Sequence, residues 1–281
     1  MKTILVPTDF SPNAARAIDY AVQVAKKNNS TLLLVHACDH IDNLGLEAGF
    51  PKAAYNKQVT DEAFASLEVI RQSIEETEKI TVKTELYGGP VVDTVLAAAE
   101  EHKPDIIIMG TMGITSLRDR IFGTNTSAVI RRAAVPVLAI PLEYDWRLPK
   151  CLLLAVNRLD EATGKTQAVF ELAAVFGAEV RLVVFTDEGS AEVVDFAGDE
   201  ITIRKAEEEL RKKYPALTIH AGHLSGRYFE ESINEYINVI GADMLAMTTH
   251  KRTLLENLFN RSLTRMMSYH AHVPVLAMPV A

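Results

Sequence analysis

The sequence predicts an α/β protein built from two similar units, each a parallel, doubly wound sheet. Three observations carry this. Short apolar runs of strand length alternate with stretches of helical periodicity along the 281 residues. The opening run Lys2–Asp9 returns as Lys150–Asn157, 148 positions on. The run Val135–Ala139 returns as Val273–Ala277, 138 positions on, so the second copy is about ten residues shorter in its middle. Two copies of this size are each long enough to bury a core. They divide the chain into units over 1–142 and 150–281, with 143–149 as a short linker.

Each element of the first copy has its own reason. Thr3–Val6 is a buried strand, and Pro7–Pro12 is a turn whose last proline suits a first helical turn. Ala14, Ala17, Ile18, Ala21, Val22 and Ala25 then recur at helical spacing, and Thr31–His36 is the second strand. Residues 37–57 carry no period and read as an irregular crossover. Phe64, Leu67, Ile70 and Ile74 mark a long amphipathic helix, and Ile80–Leu86 alternates like a strand. Gly88-Gly89-Pro90 turns the chain into a helix over Val91–Glu101. The run Asp105–Met109 is a fourth strand, Ser127–Ala134 a short helix with cations at its end, and Val135–Ile140 the last strand. The terminal strand of each copy carries a proline, Pro136 or Pro274, which cannot donate to a ladder and so suits a sheet edge or the first residues of a strand. An exposed apolar edge needs a cover, and each copy is the obvious cover for the other.

Composition narrows the function classes. A formal net charge of −8 leaves no electrostatic footprint for a nucleic acid. Two cysteines, Cys38 and Cys151, exclude a disulfide scaffold and suit a reducing compartment. The apolar run at the N-terminus is too short for a signal peptide, and no segment approaches the roughly 20 apolar residues of a membrane span. The expectation is a soluble, cytoplasmic protein.

The chemistry is concentrated in Gly110–Thr126, between the fourth strand and the short helix. Glycines at 110, 113 and 123 allow close backbone approach to a ligand, and Thr124, Asn125 and Thr126 are placed to cap a helix whose N–H groups face an anion. Gly-x2-Gly alone specifies little, and this is neither a P-loop nor the dinucleotide Gly-x-Gly-x2-Gly. Asp9 ends the first strand, where it suits either a ribose or adenine contact or a cap on the helix that follows. In the second copy the three glycines become Thr248, Lys251 and Arg261, Thr124 becomes Ser262, and Asp9 becomes Asn157. There Cβ atoms stand where backbone would have to approach phosphate, and Lys251 and Arg252 read as a solvated loop. His36 is not assigned a catalytic role. His220-x2-His223 and His270-x-His272 lack partners at metal-site spacing, so no protein metal site is assigned. No nucleophile–base pair is visible.

The longer pattern Gly110-x2-Gly113-x9-Gly123-Thr124, with Val6-Pro7-Thr8-Asp9-Phe10-Ser11 and Val135-Pro136-Val137-Leu138, resembles the universal stress protein family in its ATP-binding branch. Both halves are similar to its domains. The resemblance implies a Rossmann-like sheet with strand order 3-2-1-4-5 in each half, and a tandem pseudo-dimer joined through the last strands. In ATP-binding members the adenine and ribose lie near the first strand's Asp and the end of the second strand, and the glycine loop with its following hydroxyl holds the phosphates. Carried over residue by residue, this implies contacts from Pro7, Thr8, Asp9, Ala37, Met109, Gly110, Gly113, Gly123, Thr124 and Asn125. The ligand implied is ATP, with AMP or ADP as alternatives, and Mg²⁺ or Mn²⁺ bound through the phosphates. The loss of all three loop glycines in the second half confines the adenine nucleotide to the first, and the family's role as a regulator of stress survival implies a regulatory protein partner and weak hydrolysis at most. A homo-oligomer of the whole chain stays open. The competing reading is a slow ATPase or phosphotransferase on the same site, for which Arg118, Asp119 and Arg120 are candidates.

Overall fold

Thr3–Pro7 and Thr31–Cys38 form the first two strands, β1 and β2, and pair in parallel from Thr3↔Thr31 to Pro7↔Val35. Between them runs helix α1 (Pro12–Asn28), whose Ala17, Tyr20, Ala21, Val24 and Ala25 face the sheet fully buried. The computed structural model describes residues 1–38, 52–111, 123–159, 166–188, 196–250 and 272–280. The first half continues through α2 (Lys52–Glu78), β3 (Val82–Gly88), α3 (Val91–His102), β4 (Ile106–Gly110), α4 (Thr124–Arg132) and β5 (Val137–Ile140). The second contributes β6 (Cys151–Val156), α5 (Gln167–Phe176), β7 (Glu179–Asp187), α6 (Phe196–Lys213), β8 (Ile219–Gly226), α7 (Phe229–Ile240), β9 (Met244–His250) and β10 (Val275–Val280).

All ten strands form one sheet in the order β3-β2-β1-β4-β5-β10-β9-β6-β7-β8. Within each half the order is 3-2-1-4-5 and every pairing is parallel; the two halves meet where β5 and β10 pair antiparallel. Leu138 faces Leu276 there, flanked by Val137↔Ala277 and Ala139↔Val275. Leu276 is also the repeat counterpart of Leu138, 138 positions on. The pseudo-two-fold axis therefore passes between these two side chains.

Each proline-bearing strand is thus the edge of its own half, covered by the other half, and so central in the joined sheet. Pro136 and Pro274 sit just before the strands' first residues and only accept, from Ile107 N at 2.9 Å and Leu245 N at 3.0 Å. Pro279 lies within β10, opposite Thr249 of β9. Because Pro274 bonds towards β9, alternation turns the missing N–H of Pro279 towards β5, whose pairing has ended at Ala277.

The repeat extends to single hydrogen bonds. Asp105 Oδ2 accepts from Lys2 N and Thr3 N, and Asp243 Oδ2 accepts from Lys150 N and Cys151 N. Segment 143–149 is not a free linker: Trp146 packs edge-on to Tyr20 (4.8 Å) and beside Phe176 (6.0 Å), joining α1 to α5. Arg16–Asp145 and Arg147–Asp243 ion pairs pin it on either side. Both cysteines are buried and neither forms a disulfide, and burial followed by the neighbouring Glu179 pushes the Cys151 thiol up to about 12. Among the described residues no helix is long and apolar enough to cross a membrane.

Around α2 and β3 the boundaries differ from the sequence reading. Helix α2 begins at Lys52, inside the stretch read as crossover, and β3 is Val82–Gly88, not Ile80–Leu86. Glu75 Oε1 accepts from Val82 N, and Lys79 takes a left-handed φ of 59°. The chain therefore turns through 79–81 before pairing begins at Leu32↔Val82.

Candidate functional site

Strand order reverses between β1 and β4, which lie side by side with their carboxyl ends at the same edge. This is the crevice where an open parallel sheet takes its ligands. β2 ends beside β1, so Pro7, Thr8, Asp9, Ala37, Met109 and Gly110 all come to one end of three adjacent strands.

The end of β1 is a tightly bonded turn. Thr8 N donates to Val35 O at 2.9 Å, and Thr8 Oγ1 accepts from Phe10 N at 3.1 Å. Asp9 Oδ1 accepts from Ser11 N at 3.0 Å, an Asx turn. The cap on α1 is Ser11, whose Oγ accepts from Ala14 N at 3.1 Å with Pro12 in the first turn, so Asp9 is not the helix cap. Phe10 takes φ 61°, an uncommon conformation for a bulky side chain. Its ring stacks on His36 at 4.5 Å, and His36 Nδ1–H donates to Thr8 O at 2.8 Å. The sequence reading missed this aromatic pair, because no local pattern marks a phenylalanine for a left-handed turn.

The end of β4 is joined to α4. Thr126 Oγ1 donates to Gly110 O at 2.8 Å, Thr111 N to Ile140 O at 3.0 Å, and Gly123 N to Thr111 O at 2.6 Å. The residues flanking 112–122 are therefore tied together at the crevice. Helix α4 starts at Thr124, three residues before the sequence reading placed it, with Gly123 at the N-cap and no side-chain cap bond. Thr124, Asn125 and Thr126 were read as caps; they occupy the first turn instead, and Thr126 points back to the sheet. Ser127 N makes a helical bond to Gly123 O at 3.2 Å, and among the described residues no side chain caps the N–H groups that precede it. Thr124 and Asn125 are exposed at this positive helix end.

Gly113, Arg118, Asp119 and Arg120 lie outside the described residues, as do Lys251, Arg252, Arg261, Ser262 and His270. In the second half Asn157 is exposed after β6, and Thr248 is buried within β9. His220 and His223 sit three apart on β8, which puts them on opposite faces of the sheet and removes them as a chelating pair. A cavity of about 500 Å³ lined by Lys150, Cys151 and Glu179 opens at the amino ends of β6 and β7, the wrong end of the strands for the crevice.

Comparison with known proteins agrees with this architecture. The model of the universal stress protein family matches residues 1–141 and again 150–279. A universal stress protein of Methanocaldococcus jannaschii is 28% identical over 139 residues, which are 50% of this chain and 81% of that protein. Universal stress protein A homolog 1 of Coxiella burnetii is 30% identical over 141 residues, 50% of this chain and 95% of its own. Each such relative thus corresponds to one half. A crystal structure of a universal stress protein from Archaeoglobus fulgidus superposes along 98% of this chain and 95% of its own, with TM-score 0.74 and 19% identity, and so shares the fold.

Proposed function

The chain belongs to the universal stress protein family, and from that premise we propose that it is a nucleotide-responsive regulatory protein whose first half alone holds an adenine nucleotide. The observation that carries this reading is the N-terminus of α4, which no described side chain caps. A glycine at the N-cap, two exposed polar residues in the first turn and, among the described residues, no side-chain cap mark this helix end, which Thr126 ties to the carboxyl end of β4. Such a terminus favours an anionic group, through its N–H donors and its dipole together. The phosphates would meet Gly110, Gly113, Gly123, Thr124 and Asn125, and a Mg²⁺ or Mn²⁺ ion would enter with them. The nucleoside would lie across Pro7, Thr8, Asp9, Ala37 and Met109. ATP is the ligand proposed first, with ADP and AMP sharing the same nucleoside contacts.

The glycine asymmetry between the halves limits binding to one of them. Thr248 stands for Gly110, and Lys251 and Arg261 for the other two glycines. Calorimetric titration with ATP and Mg²⁺ tests the reading. We expect one site per chain, lost when Gly113→Lys puts a long stem where backbone must meet phosphate. Two sites per chain, or binding that survives this substitution, would overturn it.

A further inference from the structure

At the far side of the first half, where the last turn of α3 passes the outer strand β3, four polar side chains converge. His102 Nε2 lies 2.7 Å from Glu85 Oε2. The Tyr87 hydroxyl lies 2.8 Å from Glu85 Oε2, 2.9 Å from Glu101 Oε2 and 3.4 Å from His102 Nε2. One donor atom from each of Glu85, Glu101 and His102 falls within 4.8 Å of the other two. We propose that Glu85, Glu101 and His102 form a binding site for a divalent transition-metal ion of the zinc type, separate from the nucleotide crevice.

Three arguments support it. The first is charge. Among the described residues neither Glu85 nor Glu101 has a lysine or arginine partner, although both carboxylates turn towards the same hydroxyl. Tyr87 has one proton to give and can satisfy only one of them. If His102 donates to Glu85 and Tyr87 to Glu101, the 2.8 Å contact between Glu85 and the Tyr87 oxygen is left with no proton in it. A bound cation relieves that contact.

The second is the repeat. The second half builds the same corner from β8 and α7, but His223, Val239 and Ile240 stand 138 positions on from Glu85, Glu101 and His102. The strand–helix corner forms there without the cluster, so the cluster is not a requirement of the fold. The third is donor chemistry. One imidazole and two carboxylates suit zinc-type ions, held at about 2.0–2.2 Å with an open position for water. Magnesium and calcium prefer all-oxygen shells. Glu101 is exposed, which gives an ion access from solvent.

The test is calorimetric titration of the full chain with zinc sulfate in excess Mg²⁺, without nucleotide. We expect a zinc site that Mg²⁺ does not displace, weakened about tenfold or more by Glu85→Gln or by His102→Gln. It should be absent from the double variant and unchanged in His223→Ala. Circular dichroism of the zinc-free variants confirms that they fold. A second measurement needs no variant: zinc should protect His102 from diethylpyrocarbonate in the wild-type chain, read by peptide mass. Identical zinc binding in the double variant, no zinc binding in the wild type, or no protection of His102 at saturating zinc would each overturn the proposal.

Discussion

A methyl group at position 110 would be driven into Asn13 of α1, 2.7 Å from its Cγ and 2.9 Å from its carbonyl oxygen. The sequence suggests glycine here for close approach to a ligand; the structure supplies a packing reason as well. Asn13 is buried and its Nδ2 donates to Ile140 O at 3.2 Å, so it cannot easily retreat. We expect Gly110→Ala to destabilise the chain by about 1–3 kcal/mol, the range for overpacking a filled site. Asn13→Ala in the same chain should restore only part of the loss, because the backbone carbonyl remains in the way. Urea denaturation measures both, and a Gly110→Ala variant as stable as the wild type would contradict the packing argument. No sequence rule could have found this pair. Its members are far apart along the chain and meet only because α1 packs where β1 and β4 adjoin. Glu85 and His102 were likewise unread, since their approach is set by how the last turn of α3 meets β3. The turn after β1 and the two described glycines, Gly110 and Gly123, were legible as turn positions because turn chemistry is local.

Helix termini show the same division between local signals and context. Ser-Pro at 11–12 is a strong local start signal, and α1 begins there with the Ser11 cap. Thr124-Asn125-Thr126 is as rich in capping residues, yet Gly123 takes the cap position. The reason lies outside the helix: Gly123 N is tied to Thr111 O and Thr126 Oγ1 to Gly110 O, which fixes where the first turn falls. We therefore expect Ser11→Ala to cost about 1 kcal/mol of stability. Thr124→Ala should cost less than about 0.5 kcal/mol, as an exposed change does away from such features. Denaturant midpoints at an unchanged slope compare the two. An equal loss from both would mean that Thr124 caps α4 after all. The long helix α2 was only half legible for a related reason. Its apolar period marks Leu67 and Ile74, which are buried, but its first turns are mostly exposed and carry no core-facing period.

At the scale of the molecule the question is whether two repeats behave as one unit. Their sequences read as two domains of ordinary size, and the antiparallel joint between β5 and β10 is only three residue pairs wide. The packing argues for more coupling than that. On one face of the sheet a single cluster of buried side chains runs from Ile4, Ile108 and Leu138 to Leu152, Phe170 and Leu276. On the other face a second cluster joins Leu5, Ile107 and Val137 to Leu153, Leu245 and Val275. Neither half could leave without exposing part of both. The single tryptophan of the chain, Trp146, is placed to report on this, since it packs between Tyr20 of the first half and Phe176 of the second. In a urea titration its emission should shift at the same midpoint at which helical dichroism is lost, and the dichroism should fall in one step. Coincidence of the two probes is the standard sign of a single cooperative transition. A tryptophan change that precedes the loss of dichroism would mean that the halves part first and unfold separately. The continuous sheet would then be an association of two independent domains, not one folding unit.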